Sequence, residues 1–375
     1  MMERTGSDRI VEPIYEDPDL ELEDELLEDE EETAQDQELY EHFSFTADRG
    51  QRPLRVDRFL VNVMPHVSRN RIQQSASAGS IHVNGVPVKS NYKVKPLDEV
   101  SLRLAHPPYE SEIVPEDIPL NIVYEDSDLL VVNKPAGMVV HPGHGNYRGT
   151  LVNALAYYLR DTPGYDINDP RLGLVHRIDK DTSGLLVIAK NVEVRAAIGK
   201  QFFDHTTRRR YRALIWGRPK EPEGTIRSNI GRDPRNRLRM ANLPYLGEEG
   251  KPAVTHYKVI EELGYVSLIE CQLETGRTHQ IRVHMMGEGH PIFNDERYGG
   301  DQILRGNRFA SYRRFIENCF ELCPRQALHA LSLGFYHPTR HEEMDFESEL
   351  PSDMAQLLEK WRVYVQAGSV EPLDE

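Results

Sequence analysis

Asp179 lies in the densest polar block of the chain, Arg171-Leu-Gly-Leu-Val-His-Arg-Ile-Asp-Lys-Asp-Thr-Ser-Gly184, directly ahead of the apolar run Leu185-Leu-Val-Ile-Ala189. A carboxylate two residues after Arg177, before a Thr-Ser-Gly turn and a run fit for a buried strand, sits at the edge of a rigid element. That is where a reacting group is best held. The same residues suit a loop carboxylate engaged in an ion pair, so the block alone leaves both readings open. A second block, Leu273-Glu-Thr-Gly-Arg-Thr-His-Gln-Ile-Arg-Val-His284, sets Gly276 at a turn and Arg277 near the start of a helix. From there a guanidinium could pair bidentately with a carboxylate and hold it ionised. His279 and His284 are five apart, off the i, i+4 spacing of a helical metal pair, and no acidic ligand is suitably placed. No metal is expected.

Between these blocks, Lys200 to Met240 carries twelve bases and four acids, with Arg208, Arg209 and Arg210 consecutive and Tyr211 and Trp216 among them. Guanidinium groups beside an aromatic ring suit a polyanion whose base can be turned out and stacked. The whole-chain charge argues the other way at first: 45 Lys or Arg against 61 Asp or Glu in 375 residues, a net of -16. The deficit is local. Met1 to Phe45 holds eighteen acids and two bases and Glu342 to Glu375 ten and two, which leaves 41 bases against 33 acids in Thr46 to His341. The first 45 residues have too little apolar surface to offset ordering entropy and are expected to be disordered, as a solubilising tail or a polyanion mimic.

No apolar run approaches the roughly 20 residues of a membrane span, and the N-terminus is acidic where a signal peptide is basic and then apolar. A cytoplasmic protein is expected. Cys271, Cys319 and Cys323 fit a reducing compartment and core packing.

The elements that must position these groups fall into segments. From Gln51, apolar residues at helical spacing (Leu54, Val56, Phe59, Leu60, Val63) precede a second helix over Arg69–Ser77, capped by Ser68 and ended by Gly79. Asn84-Gly85 between two β-rich runs signals a hairpin with a type I′ turn. This unit, 51–105, has nine bases and three acids. A proline-bearing linker follows over 106–119. From 120 to 350, short β-rich runs alternate with helical patterns at Thr150–Leu159, Val192–Phe203 and Thr278–Glu288, without regular β-α-β order. That texture predicts an α+β domain on a mainly antiparallel mixed sheet. A last helix, Met354–Val365, and an acidic tail make up 351–375.

The unit 51–105 resembles the S4 RNA-binding domain in Leu54-Arg-Val-Asp57, Ser68-Arg69 and Gly79-Ser-Ile-His-Val-Asn-Gly85. The resemblance implies recognition of structured RNA through its shape and backbone, with Arg69, Arg71, Lys89 and Lys93 as contacts. Beyond it, the sequence is similar to the RluA/RluD family of pseudouridine synthases. The matching blocks are Asn133-Lys-Pro-Ala-Gly137 with His141-Pro142, His176-Arg-Ile-Asp179 through Gly184, Tyr211-Arg-Ala213, Thr275 to His284, and Arg325-Gln-Ala-Leu-His-Ala330 with Phe335-Tyr-His-Pro338.

That resemblance implies isomerisation of uridine in RNA, the N1–C1′ bond being exchanged for C5–C1′, without cofactor or metal. Asp179 acts as nucleophile at C1′ or base at C2′. Arg277 is expected to keep it ionised, Tyr211 to stack on the flipped uracil, Arg177 to assist flipping, and Arg208, Arg209 and Arg210 to bind RNA. Lys134 is read as structural, His176 as a brace of the catalytic loop and the Arg325–Ala330 block as support beneath the site. Large-subunit ribosomal RNA is the first expectation for substrate, transfer RNA the second, and a monomer the default. Ile178 for the family's usual Leu is volume-conserving, and Asn294 where Gly is common tolerates positive φ. The rivals are an RNA-binding assembly factor without catalysis and an N-glycosidase that releases uracil.

Overall fold

The computed structural model describes residues 40–64, 67, 69–104, 113–143, 146–163, 165, 173–236, 239–306 and 309–368. They form two compact units, one over Tyr40–Leu104 and one over the described residues from Ile113 on.

The first unit runs β1 (Tyr40–Thr46), β2 (Leu54–Arg55), α1 (Val56–Val63), α2 (Arg69–Ser77), β3 (Ile81–Val83), β4 (Val86–Pro87), β5 (Lys93–Val94) and β6 (Glu99–Leu104). Its sheet has the order β1-β6-β3-β4, and β2 pairs with β5. Val56, Phe59 and Leu60 of α1, Ile72 and Ala76 of α2, and Ile81, Val83 and Val100 of the sheet form its core. Asn84 and Gly85 have φ of 52° and 80°, the two positive angles a type I′ turn demands. Tyr40–Phe45 corrects the expected tail boundary: these residues belong to β1, antiparallel to β6 from Tyr40 opposite Leu104 to Thr46 opposite Glu99. Local composition could not show this, because the pairing strand lies some sixty residues on. The rest of the predicted tail, and the Ser68 cap, lie outside the described residues.

The second unit runs β7 (Ile122–Glu125), β8 (Leu129–Lys134), α3 (Leu151–Tyr158), β9 (Ser183–Ala189), α4 (Val192–Phe203), β10 (Arg208–Trp216), β11 (Glu223–Arg232), β12 (Met240–Leu243), β13 (Lys251–Leu263), β14 (Val266–Leu273), α5 (Gln280–Gly287), α6 (Ala310–Leu322), β15 (Leu328–His337), β16 (Glu342–Glu347) and α7 (Ser352–Gln366). One sheet joins the strands in the order β12-β11-β13-β14-β10-β15-β9-β8-β7, with β16 also on β15. Among the described residues every strand pairing here is antiparallel except β15 with β9. This is the α+β architecture that the sequence predicts.

The run Leu185–Ala189 is apolar without alternation because the sheet is covered on both faces. Leu186 and Ile188 join Leu130 and Val132 in a core shared with α3, α6 and α7. Leu185 and Val187 join Leu129, Val131 and Phe335 in another, against Val194 and Ile198 of α4. Helix α7 belongs to this body rather than to a separate C-terminal segment: Leu357, Leu358 and Trp361 enter the main core, and Arg362 pairs with Glu261 of β13 at 2.7 Å. Cys271, Cys319 and Cys323 are buried free thiols, each pushed up to about 12, chiefly by burial.

Candidate active site

Strand β15 sets the register of the site. Its Ala330 stands opposite Tyr211 of β10 on one side and Gly184 of β9 on the other, so the start of β9 and the middle of β10 share one row of the sheet. Beyond that row β15 leaves β9 and continues along β16, from Ser332 opposite Glu347. Gly184 has φ of 126°, and a Cβ there would meet the Ala330 carbonyl oxygen at 2.2 Å. Only glycine permits this approach. Asp179 is thus held four residues ahead of β9. Thr182 N–H donates to the Asp179 carbonyl at 3.1 Å, and Gly137 N–H to that of Lys180 at 2.9 Å.

Lys134, at the end of β8, is buried and donates all three ammonium protons to carbonyls: Pro135 at 2.9 Å, Met138 at 2.7 Å and Lys180 at 2.9 Å. It ties the Pro-Ala-Gly turn to the residue after Asp179. Burial pulls its ammonium down to about 7, against the pull of Asp179 and Asp181. His176 stacks on Phe202 with centroids 4.4 Å apart, and its Nε2 accepts from Val187 N–H at 3.1 Å. Burial drops it to about 3, so the ring is neutral and free to accept. Arg325 donates to the Asp181 carbonyl at 2.9 Å and pairs with Asp353 at 2.7 Å. His329 lies 2.9 Å from the Ser183 hydroxyl. The block beneath the site thus supports the loop from behind.

The Asp179 carboxylate, 20% exposed, pairs with Arg282 of α5: Nη1 to Oδ2 is 2.8 Å. The same guanidinium grips Asp295 with Nε at 2.7 Å and Nη2 at 2.9 Å, and its carbon lies 5.1 Å from the centroid of the Tyr298 ring. Burial alone pushes the Asp179 carboxyl up, but His279, Arg282 and Arg177 outweigh it and hold it at about 2. Arg282 itself is shifted up: its two carboxylates override the desolvation. The acid is therefore ionised at every physiological pH. Tyr211 is 8% exposed. Its phenol is raised mainly by burial and partly by Asp179, so it stays protonated close to the carboxylate.

The guanidinium on Asp179 is thus that of Arg282, and the expectation that Arg277 fills this place is corrected. Gln280 explains why. Its Oε1 accepts from Arg277 N–H at 3.0 Å and from the Thr275 hydroxyl at 2.7 Å, while its Nε2 donates to Val254 O and Thr255 Oγ1. The turn is bolted to β13, and Arg277 Nε donates to the Pro252 carbonyl at 3.2 Å. The signal for Arg282 was present in the sequence: an arginine between Ile281 and Val283 on a buried helix needs a carboxylate to compensate its charge. Asp295, beside the Ile292-Phe293 pair, carried the complementary signal. Asn294 has φ of 58°, as its amide tolerates.

The Arg208–Arg210 run, expected to bind RNA, has its ion pairs and hydrogen bonds within the fold. Arg208 pairs with Glu343 at 2.8 Å and Asp345 at 2.9 Å, and Arg210 with Glu347 at 3.0 Å, all on β16. Arg209 is buried against Phe202, 5.3 Å from the ring centroid, and donates to the Glu274 carbonyl. The bases that looked like a cationic face are engaged in cross-strand pairing. In the first unit, Arg69 and Arg55 both grip buried Asp57, at 3.0 and 2.9 Å, with Gln73 at 2.8 Å. Against the burial penalty, these donors hold the carboxyl well below its usual range. Lys89 and Lys93 are exposed, and the Arg71 side chain lies outside the described residues. Among the described residues, Asp126, Asp128 and His337 gather three possible metal-ligand atoms. Asp126 already accepts from Tyr124 Oη and the N–H groups of Asp128 and Leu129, as a turn carboxylate does.

The comparisons with known proteins follow the same division. The family described as RNA pseudouridylate synthase matches residues 128–286, and the S4 domain matches residues 54–100. The chain is 48% identical over 319 residues to an RNA pseudouridine synthase of Chlorobaculum parvum, covering 85% of this chain and 97% of that one. It is 43% identical over 317 residues to one of Bacillus subtilis (84% and 97%). It is 45% identical over 310 residues to the ribosomal large subunit pseudouridine synthase D of Zymomonas mobilis (82% and 93%). The chain belongs to the RNA pseudouridine synthase family, in its RluA/RluD group, with an S4 domain ahead of the catalytic one. It is an isomerase that acts on uridine in RNA.

Proposed function

We propose that this enzyme converts uridines of large-subunit ribosomal RNA to pseudouridine, working as a monomer without cofactor or metal, with Asp179 as the reacting group. The observation that carries the assignment of Asp179 is its ionised carboxylate, held on Arg282 just ahead of β9 and near enough to Tyr211 to help raise that phenol. Attack on C1′ and removal of the C2′ proton both require an unprotonated carboxylate next to the ribose, and the guanidinium supplies that. Tyr211 stacks on the turned-out uracil, and Arg177 assists its exit from the helix. Arg69, Arg71, Lys89 and Lys93 of the S4 domain contact the RNA backbone, which gives affinity without a base code.

The test incubates the full chain with unmodified 23S-type and transfer RNA transcripts and maps carbodiimide-resistant adducts by primer extension. New stops on the ribosomal transcript, absent with Asp179→Asn, are expected. Stops only on transfer RNA would replace the substrate, abasic sites would replace the reaction with glycosidic cleavage, and equal stops with Asp179→Asn would sink the role of the acid.

A further inference from the structure

His279 is in an unusual place. It precedes α5 with φ of 57° and ψ of 19°, a left-handed conformation that costs a residue other than glycine about 1 kcal/mol or more. Such strain persists where the surrounding structure holds it and the site uses it. Its ring is nearly enclosed, 12% exposed, between the two groups that matter: Nε2 is 3.9 Å from Asp179 Oδ2, and Nδ1 is 2.8 Å from Tyr298 Oη.

The tautomer follows from the neighbours. Tyr298 Oη accepts from the Met240 N–H at 3.0 Å, and burial pushes the phenol up to about 12, so it keeps its proton. With that proton directed at His279 Nδ1 the neutral ring carries its hydrogen on Nε2, and a protonated ring carries one there as well, so Nε2 is a donor in either charge state. The N–H faces the same carboxylate oxygen, Oδ2, that Arg282 holds. Arg282 already donates to that oxygen at 2.8 Å and His279 approaches the same one, which leaves Oδ1 as the oxygen directed at the sugar.

We infer that His279 is a positioning residue for the isomerisation: its Nε2–H, with the tautomer set by Tyr298, joins Arg282 in holding Asp179 Oδ2 so that Oδ1 meets the ribose. This rests on Asp179 being the reacting group. At 3.9 Å the N–H falls short of a hydrogen bond in the resting enzyme, and it closes on the carboxylate as substrate packs against the site. The interaction therefore acts on kcat more than on binding.

The experiment measures tritium release from 5-tritiated uridine in a ribosomal RNA transcript, as kcat and KM, for full-length wild type, His279→Asn, His279→Gln and Tyr298→Phe. Asn tolerates the left-handed backbone and can still accept the Tyr298 proton, but presents nothing to Asp179. Gln reaches Asp179 with its amide N–H. The expected loss of kcat is about 10- to 100-fold for His279→Asn, as for a lost hydrogen bond to a charged group, with KM within about twofold. His279→Gln recovers most of it, and Tyr298→Phe loses kcat alone. An unchanged kcat in His279→Asn overturns the inference, as does His279→Gln falling as far as His279→Asn. If His279→Asn melts at assay temperature, Tyr298→Phe decides, and an unchanged kcat there overturns it. A wild-type enzyme that releases no tritium from any transcript instead sinks the ribosomal RNA reading itself.

Discussion

At the scale of single residues, the site is a chain of charge, Asp179 to Arg282 to Asp295, in which one guanidinium serves two acids. Arg282→Lys keeps the charge but cannot bridge both carboxylates. We expect it to lower kcat about 10- to 100-fold through lost orientation of Asp179. The pH dependence has a definite sign. Asp179 titrates at about 2 in the folded enzyme, against about 3.9 when unfolded. Its contribution to stability is complete above the unfolded value and lost as pH falls through about 2. The acid limb of the wild-type rate therefore lies below the ordinary carboxylate range, and in Arg282→Lys it moves up toward pH 4. Rates from about pH 3 to 8 check this: wild type should stay level down to about pH 3 while Arg282→Lys falls off near pH 4, and a variant as level as wild type would contradict it. Arg282→Gln should also destabilise the fold by about 3–5 kcal/mol, since Asp295 would be left buried without a counterion, as read by denaturant melts. Arg277 and Arg282 sit in one sequence block, five residues apart. Which of them reaches the acid depends on the left-handed turn at His279 and on the Gln280 side chain, neither of which follows from residue type.

At the scale of elements, the register through Ala330 sets the spacing between the acid and the tyrosine. Gly184→Ala places a methyl 2.2 Å from the Ala330 carbonyl, so β9 and β15 must part. We expect a loss of more than about 3 kcal/mol in stability and of kcat even in the surviving folded fraction, measured by melts and by active-site-normalised rates. The acids of β16 offer the opposite kind of change. Replacing Glu343, Asp345 and Glu347 by their amides removes exposed pairs that contribute at most about 1 kcal/mol each, frees Arg208, and releases Arg210 from Glu347 while its contacts with Glu270 and Ser332 remain. Nonspecific RNA affinity should rise, and its log-log salt slope should steepen by about one for each freed charge that finds a phosphate. An unchanged slope would mean these arginines lie away from the RNA. The strand Leu185–Ala189, the Asn84-Gly85 hairpin and helix α5 were legible because each is set by local pattern. The engagement of Arg208 and Arg210 was not, since their partners lie some 135 residues on and only sheet topology brings them together. Helix α6 was missed although Tyr312, Phe315, Ile316, Cys319 and Phe320 fall at helical spacing; its first turn has no side-chain cap to mark the start.

At the scale of the whole molecule, the charge is segregated along the chain. Seventeen acids and two bases precede Tyr40, and Thr46 to His341 behind them is basic. Since Tyr40–Thr46 is a strand of the S4 sheet, the two truncations should separate. Deleting residues 1–39 should leave the melting midpoint unchanged while tightening nonspecific RNA binding and steepening its salt dependence. Deleting 1–46 should in addition destabilise the S4 unit by exposing the edge of β6. Equal RNA affinity with and without residues 1–39 would leave that segment a role in solubility alone.

The three enclosed sulfurs give the molecule a chemical clock of its own unfolding. With thiols raised to about 12, only about one in ten thousand is a thiolate at pH 8, so a disulfide reagent can react only when the protein opens. Cys271 stands opposite Tyr211 in the sheet, whereas Cys319 and Cys323 lie along and just beyond α6. Labelling at the first reports rupture of the catalytic centre, and at the other two the peeling of a supporting helix. Following which sulfur is captured first, with and without RNA, would read out the order in which this enzyme comes apart.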